Sequence, residues 1–91
     1  MKGRRIREIR YSSHFARALK TIPKQHLYLL EEREAVFRDN CFDARLKTHK
    51  LQGKLKRFWS FSLTHQHRVL FEFLDDQVVA FVDVGNHALY Q

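Results

Sequence analysis

THKLQGKLKRFWSFSLTHQHRVLF, residues 48–71, is the stretch whose reading decides the fold. Its first part is basic and contains a glycine: His49, Lys50, Gly53, Lys54, Lys56 and Arg57. Its middle alternates, with Trp59, Phe61 and Leu63 set against Ser60 and Ser62. A period of two is the pattern of a strand with one face buried. Residues 64–67 are short and polar, a turn. Arg68 then begins a second alternation, with Val69, Phe71 and Phe73 facing one way and Arg68, Leu70 and Glu72 the other. Strands joined by so short a connection are antiparallel. The stretch therefore predicts a basic loop followed by a hairpin.

Working outward, Asp75, Asp76 and Gln77 form a second tight turn, and residues 78–84 are nearly all apolar, as in a strand of the sheet interior. Gly85 is expected to end that strand. Upstream, residues 6–11 (IREIRY) alternate and carry charge, which predicts an edge strand protected from pairing with other chains. Ser12 or Ser13 offers a helix N-cap. Phe15, Leu19 and Ile22 fall at helical spacing over residues 13–21, and Pro23 interrupts them. Proline is tolerated in a first helical turn, so a second helix is predicted from Pro23 to Asp39 or Asn40. Leu29 and Val36, and Leu30 and Phe37, recur seven apart and define its apolar stripe; Glu31, Glu32, Arg33, Glu34 and Arg38 form its wet side. The expected fold is α+β with the order β-α-α-β-β-β. A two-helix hairpin covers one face of a mostly antiparallel four-stranded sheet. The other face carries Ser60, Ser62, Arg68 and Glu72 and is expected to be open.

Ninety-one residues make one domain, 1–91, because a second core would have too little chain to fill it. A hydrophobic fraction of 44% marks a folded chain rather than a disordered one. The single cysteine, Cys41, argues against a disulfide-stapled secreted domain and for the cytoplasm. No apolar run approaches the roughly 20 residues that span a bilayer, and no signal-peptide pattern follows the basic start, so no membrane role is expected. The formal charge is +7 and is unevenly placed. Residues 1–20 hold seven basic residues and one acid, and residues 41–60 hold six and one. Two basic blocks imply one or two positive faces and a polyanionic partner.

The residues on and after the hairpin fit metal-free RNA cleavage. That reaction needs a base for the 2′-OH, cations around the phosphate and an acid for the departing 5′-oxygen. Histidine serves both proton roles near neutral pH, and the arginine fork matches phosphate oxygens. His49, His65, His67 and His87 fall in the C-terminal half, with Arg68 beside His67 and Tyr90 near His87. His14 and His26 read as ordinary helix residues. His65-x-His67 lacks the cysteines or acids that would complete a zinc set, so no metal and no cofactor is expected. Cys41 as a nucleophile has little support. A plain basic β-hairpin is the alternative to all of this.

KLQGKLKRFWSFSLTHQHRVLF (residues 50–71), followed by VDVGNHALY (residues 82–90), resembles the RelE/ParE superfamily of type II toxins. The resemblance covers most of the chain. The FWS and HRVLF segments are similar to the YoeB branch, and HKLQG and GNH to the YafQ branch. It implies a ribosome-dependent mRNA endoribonuclease that blocks translation. It also implies a cognate antitoxin, the ribosome and mRNA as partners, and operator DNA reached only through the antitoxin. Carried over by position, Arg68 matches the phosphate-stabilising arginine, His87 the histidine or arginine after the last strand, and Tyr90 the C-terminal aromatic. His49 matches the loop histidine of the YafQ branch, an acid/base candidate, and His67 is the alternative base. Lys47, Lys50, Lys54, Lys56, Arg57 and His65 are the expected RNA-binding residues. Ser60 and Ser62 stand where RelE has strand lysines. The runner-up functions are a gyrase-binding toxin of the ParE kind and an inactive binding protein of the same fold.

Overall fold

The computed structural model describes residues 3–86. The chain runs β1 (Glu8–Tyr11), α1 (Ser13–Leu19), α2 (Lys24–Asp39), β2 (His49–Lys50), β3 (Trp59–Ser62), β4 (His67–Asp75) and β5 (Val78–Asn86). Short 3-10 turns at Ala44–Leu46 and Gly53–Leu55 flank β2. The strands form one sheet in the order β1-β5-β4-β3-β2. β1 lies parallel to β5, and every other neighbouring pair is antiparallel. The α+β, mostly antiparallel architecture is as expected, with five strands in place of four. The added strand is β2, two residues of the stretch read as loop, which pair with Ser60 and Trp59. β5 also continues through Gly85, because Arg68 and His67 still offer it partners at Gly85 and Asn86.

Local chemistry explains the helices. The Ser12 hydroxyl accepts the Phe15 amide at 3.0 Å and starts α1. Pro23 stands at the N-cap of α2. At the far end, Asn40 Oδ1 accepts the amides of Arg4 and Phe42, both at 3.0 Å, tying the N-terminal segment to the helix end. Along α2 the buried residues are Leu30 and Phe37, seven apart, while Leu29 and Val36 are only partly covered.

Both helices pack on the sheet face formed by Phe61, Leu63, Val69, Phe71, Val79, Phe81 and Val84. Phe37 fills its centre, with ring centroids 4.9 Å from Phe71, 5.1 Å from Phe61 and 5.3 Å from Phe81. The β4–β5 register shifts twice, leaving Val82 and Leu74 without partners as bulges. The shift at Val82 keeps Phe81 and Val84 on the helix side, where strict alternation would have separated them.

Cys41 is fully buried beneath this layer. Burial pushes its thiol up to about 11, the nearby Arg4 charge opposing only in part. Because the folded state raises this pKa, the thiol stays protonated until the pH climbs through about 11. Iodoacetamide at neutral pH is therefore expected to label Cys41 only after denaturation. Rapid labelling of the native protein would contradict the burial. A nucleophilic role for this cysteine has no support in that setting.

Candidate nucleic-acid interface and active site

The β3–β4 turn is built on one hydroxyl. Thr64 Oγ1 accepts the amides of Gln66 at 3.1 Å and His67 at 3.0 Å. With both lone pairs occupied, its own hydrogen donates to His67 Nδ1, 3.0 Å away. That leaves the His67 proton on Nε2. The His67 ring lies 5.1 Å from the ring of His26 on α2. His67 thus sits on the helix-covered side of the sheet, by the same alternation that puts Val69 there.

Its neighbour Arg68 points to the other side. There it pairs in register with Ser62 and donates from Nη1 to Ser62 Oγ at 3.0 Å. Ser60 and His49 share that face, since His49 pairs with Ser60. The face is not bare throughout: Ser60 is fully buried, Leu51 and Leu70 are largely buried, and no hydrogen-bond partner is found for the Ser60 hydroxyl among the described residues.

β2 reaches only Trp59 and Ser60, so the Ser62 end of β3 continues past it. At that end lies an open groove of about 610 Å³, lined by Arg33, Arg45, Lys47, Ser62, Leu63, Thr64, His65 and Arg68. Four permanent cations converge on it from α2, the 3-10 turn before β2, and β4. Among the described residues no acidic side chain lines it. Two of the guanidinium groups have carboxylates outside the lining. Arg33 lies 3.5 Å from Glu32, and Arg45 grips Asp43 with two bonds of 2.9 Å. Hydrogen bonds from the Arg45 side chain and amide hold the Asp43 carboxyl down at about 2. A depressed carboxyl keeps its pairing above the ordinary range and loses it as the pH falls toward about 2.

His49 follows from the backbone just ahead of it. Lys47 adopts a left-handed conformation, φ 52°, at the end of the 3-10 turn. Its carbonyl lies 3.0 Å from His49 Nδ1. A carbonyl only accepts, so Nδ1 carries the proton and Nε2 of the neutral ring is left with a free lone pair. Strand spacings put the His49 and Arg68 α-carbons about 12 Å apart on one face, with room for a phosphodiester between their side chains. The strain at Lys47 has a measurable consequence. Lys47→Gly is expected to be more stable than Lys47→Ala by about 1 kcal/mol, since only glycine enters this region freely. Equal melting temperatures for the two variants would contradict it.

Of the residues expected to bind RNA, Lys47 and His65 line the groove with Arg68. Lys50, Lys54 and Lys56 are exposed on the β2–β3 excursion, away from its lining. Arg57 lies over the Phe58 ring at 4.7 Å and 3.7 Å from Glu72, so its charge is partly matched. Arg33 and Arg45 enter the groove although sequence reasoning left them on the wet helix side and in the loop. Membership of Arg45 in the second basic block was the one signal for it. His87 and Tyr90 lie outside the described residues. No group of three or more metal-ligating side chains occurs among the described residues.

No protein-family model matches the sequence, and no curated protein does. Solved structures match closely in fold. The YafQ toxin in the E. coli DinJ–YafQ toxin–antitoxin complex is 25% identical, aligning over 91% of this chain and 94% of that one with a TM-score of 0.72. The RelBE2 toxin–antitoxin complex of Mycobacterium tuberculosis gives 17% identity, 96% and 99% coverage and a TM-score of 0.77. A YoeB/ParE toxin from Agrobacterium tumefaciens gives 13% identity, 89% and 99% coverage and a TM-score of 0.72. The chain has the fold of the RelE/ParE toxins over nearly its whole length.

Proposed function

We propose that this chain, built on the RelE/ParE toxin fold, is the toxin of a type II toxin–antitoxin pair and cuts mRNA on the ribosome. The observation that carries the reading is the groove: four cations, no acid among its described lining residues, and an imidazole on the same sheet face with its Nε2 lone pair exposed. His49 Nε2 takes the proton of a 2′-OH. The freed oxygen attacks the adjacent phosphorus, and Arg68, with Arg33, Arg45 and Lys47 around it, stabilises the added negative charge. The bond to the 5′-oxygen breaks, leaving a 2′,3′-cyclic phosphate on one fragment and a 5′-hydroxyl on the other. His87 supplies the proton to that oxygen, with Tyr90 completing the set, as the family resemblance implies. His67 is a positioning residue that fixes the hairpin turn ahead of Arg68.

The neighbours crystallised as toxin–antitoxin complexes support a protein partner for this chain. An antitoxin with an acidic or amphipathic segment suits the positive groove, and operator DNA is reached through it. No described helix is long and apolar enough to cross a membrane.

Expression of the chain alone is expected to arrest growth, and co-expression of the neighbouring open reading frame to lift the arrest. His49→Ala should slow cleavage by about 10²- to 10⁴-fold, the usual worth of a general base. Undiminished arrest by both His49→Ala and Arg68→Ala would count against cleavage. DNA-damage signalling without mRNA breaks would favour the gyrase-binding alternative.

A further inference from the structure

Two arginines of the first basic block, Arg5 and Arg7, line a groove separate from the one at Arg68. Residues Arg4 to Arg7 run extended along the end of α2. The Arg4 amide donates to Asn40 Oδ1 at 3.0 Å, the Cys41 amide to the Arg4 carbonyl at 2.9 Å, and the Ile6 amide to the Arg38 carbonyl at 2.9 Å. The Arg7 amide then donates to the Gln77 carbonyl at 2.8 Å. Extended backbone alternates its side chains. Ile6 is buried, and the Arg4 guanidinium lies 4.8 Å from the Phe73 ring centre and 5.6 Å from that of Phe42. Arg5 and Arg7 are thereby turned outward together, about 7 Å apart along the chain. With Arg38, Ile6, Ala35, Asp39 and Gln77 they line an open groove of about 580 Å³.

Three guanidinium groups face one carboxylate there. The pairings these arginines make are loose: Arg7 lies 4.0 Å from Glu8, whose other oxygen is held by Arg10 at 2.7 Å. Arg38 lies 4.0 Å from Glu34 and donates to the Tyr11 hydroxyl at 3.4 Å. Arg5 is exposed and makes no ion pair among the described residues. A backbone fixed on both sides of two outward arginines lowers the ordering cost of gripping phosphate, which their planar forks match.

We infer that the Arg5–Arg7–Arg38 groove is a second RNA-binding site, taking the phosphate backbone of RNA at a place distinct from the strand that is cut. The two grooves flank α2: Arg33 and Arg38 lie five residues apart on it, about 140° around the helix. Arg7 is level with the start of β5 and Arg68 with Gly85, roughly 25 Å along the sheet. One phosphate cannot touch both, so the second groove meets a different stretch of RNA. The site rests on the RNA-cleaving reading for its biological use, but its chemistry is tested apart from cleavage.

The test is the salt dependence of binding to a fluorescein-labelled RNA hairpin with a single-stranded tail, followed by anisotropy from about 50 to 200 mM KCl. Arg5→Gln/Arg7→Gln is expected to weaken binding at low salt and to flatten the log K against log salt slope by about two, one for each phosphate no longer neutralised. Arg5→Lys/Arg7→Lys should keep most of the slope. Arg68→Gln should remove a further, additive share. An unchanged slope in the Gln variant, with an unchanged melting curve, would overturn the site. Loss of antitoxin capture with that slope unchanged would overturn it too, in favour of an acidic protein segment. A slope that responds as expected, in a protein that leaves ribosome-bound mRNA intact, would support the groove and refute the cleavage reading alone.

Discussion

Arg68→Ala is expected to lower mRNA cleavage by about 10²- to 10³-fold, the usual effect of deleting one donor to a developing oxyanion. The side chain sits half-buried on β4, held by the Ser62 hydroxyl at 3.0 Å, so its position is set before RNA arrives. A guanidinium presents two parallel donors to two phosphate oxygens, and an ammonium presents a point charge. Arg68→Lys should therefore recover only a small part of the loss. The neighbouring cations replace it only in part, because Arg45 is held by Asp43, Arg33 lies beside Glu32, and Lys47 offers a point charge rather than a two-pronged donor. Single-turnover cleavage by folded variants, checked by circular dichroism, gives the comparison. Equal rates for wild type and Arg68→Ala would remove Arg68 from the reaction.

Phe37→Ala carries the largest expected effect on stability, a loss of about 3–5 kcal/mol. Phe37 is fully buried at the point where α2 meets β3, β4 and β5, touching Phe61, Phe71 and Phe81 at once. Removing the ring forfeits its transfer free energy and leaves a cavity walled by three rings that cannot all close inward. A domain of this size holds only about 5–15 kcal/mol in total, so the variant should melt about 15–30 °C lower. Chemical denaturation would read the change directly. A loss under about 1 kcal/mol would mean that α2 is not anchored where the ring contacts place it.

The sheet was legible where the pattern had length. The Trp59–Phe61–Leu63 and Val69–Phe71–Phe73 alternations put the helices on the correct face, and the seven-residue spacing of Leu30 and Phe37 marked the buried side of α2. β2 was not legible, because two residues carry no periodicity and pairing with β3 alone makes them a strand. Gly85 was misread as a stop, since a glycine signal is local while the ladder to β4 extends past it. For the site, Arg68 and the second basic block pointed to the groove, yet Arg33 and Arg45 reach it only through tertiary packing. His67 was read as the last residue of a turn and grouped with Arg68, but β4 already begins at His67, so the two side chains leave the strand on opposite faces. The proton on His49 Nδ1 depends on the turn at Lys47, which no spacing reveals.

The most direct measurement is the chemistry of the RNA ends produced in a reconstituted translation reaction. The account predicts mRNA fragments ending in 2′,3′-cyclic phosphate opposite 5′-hydroxyl ends with the wild-type protein, and their near disappearance with Arg68→Ala or His49→Ala. Full-length mRNA in reactions where the folded wild-type protein still halts translation would contradict it.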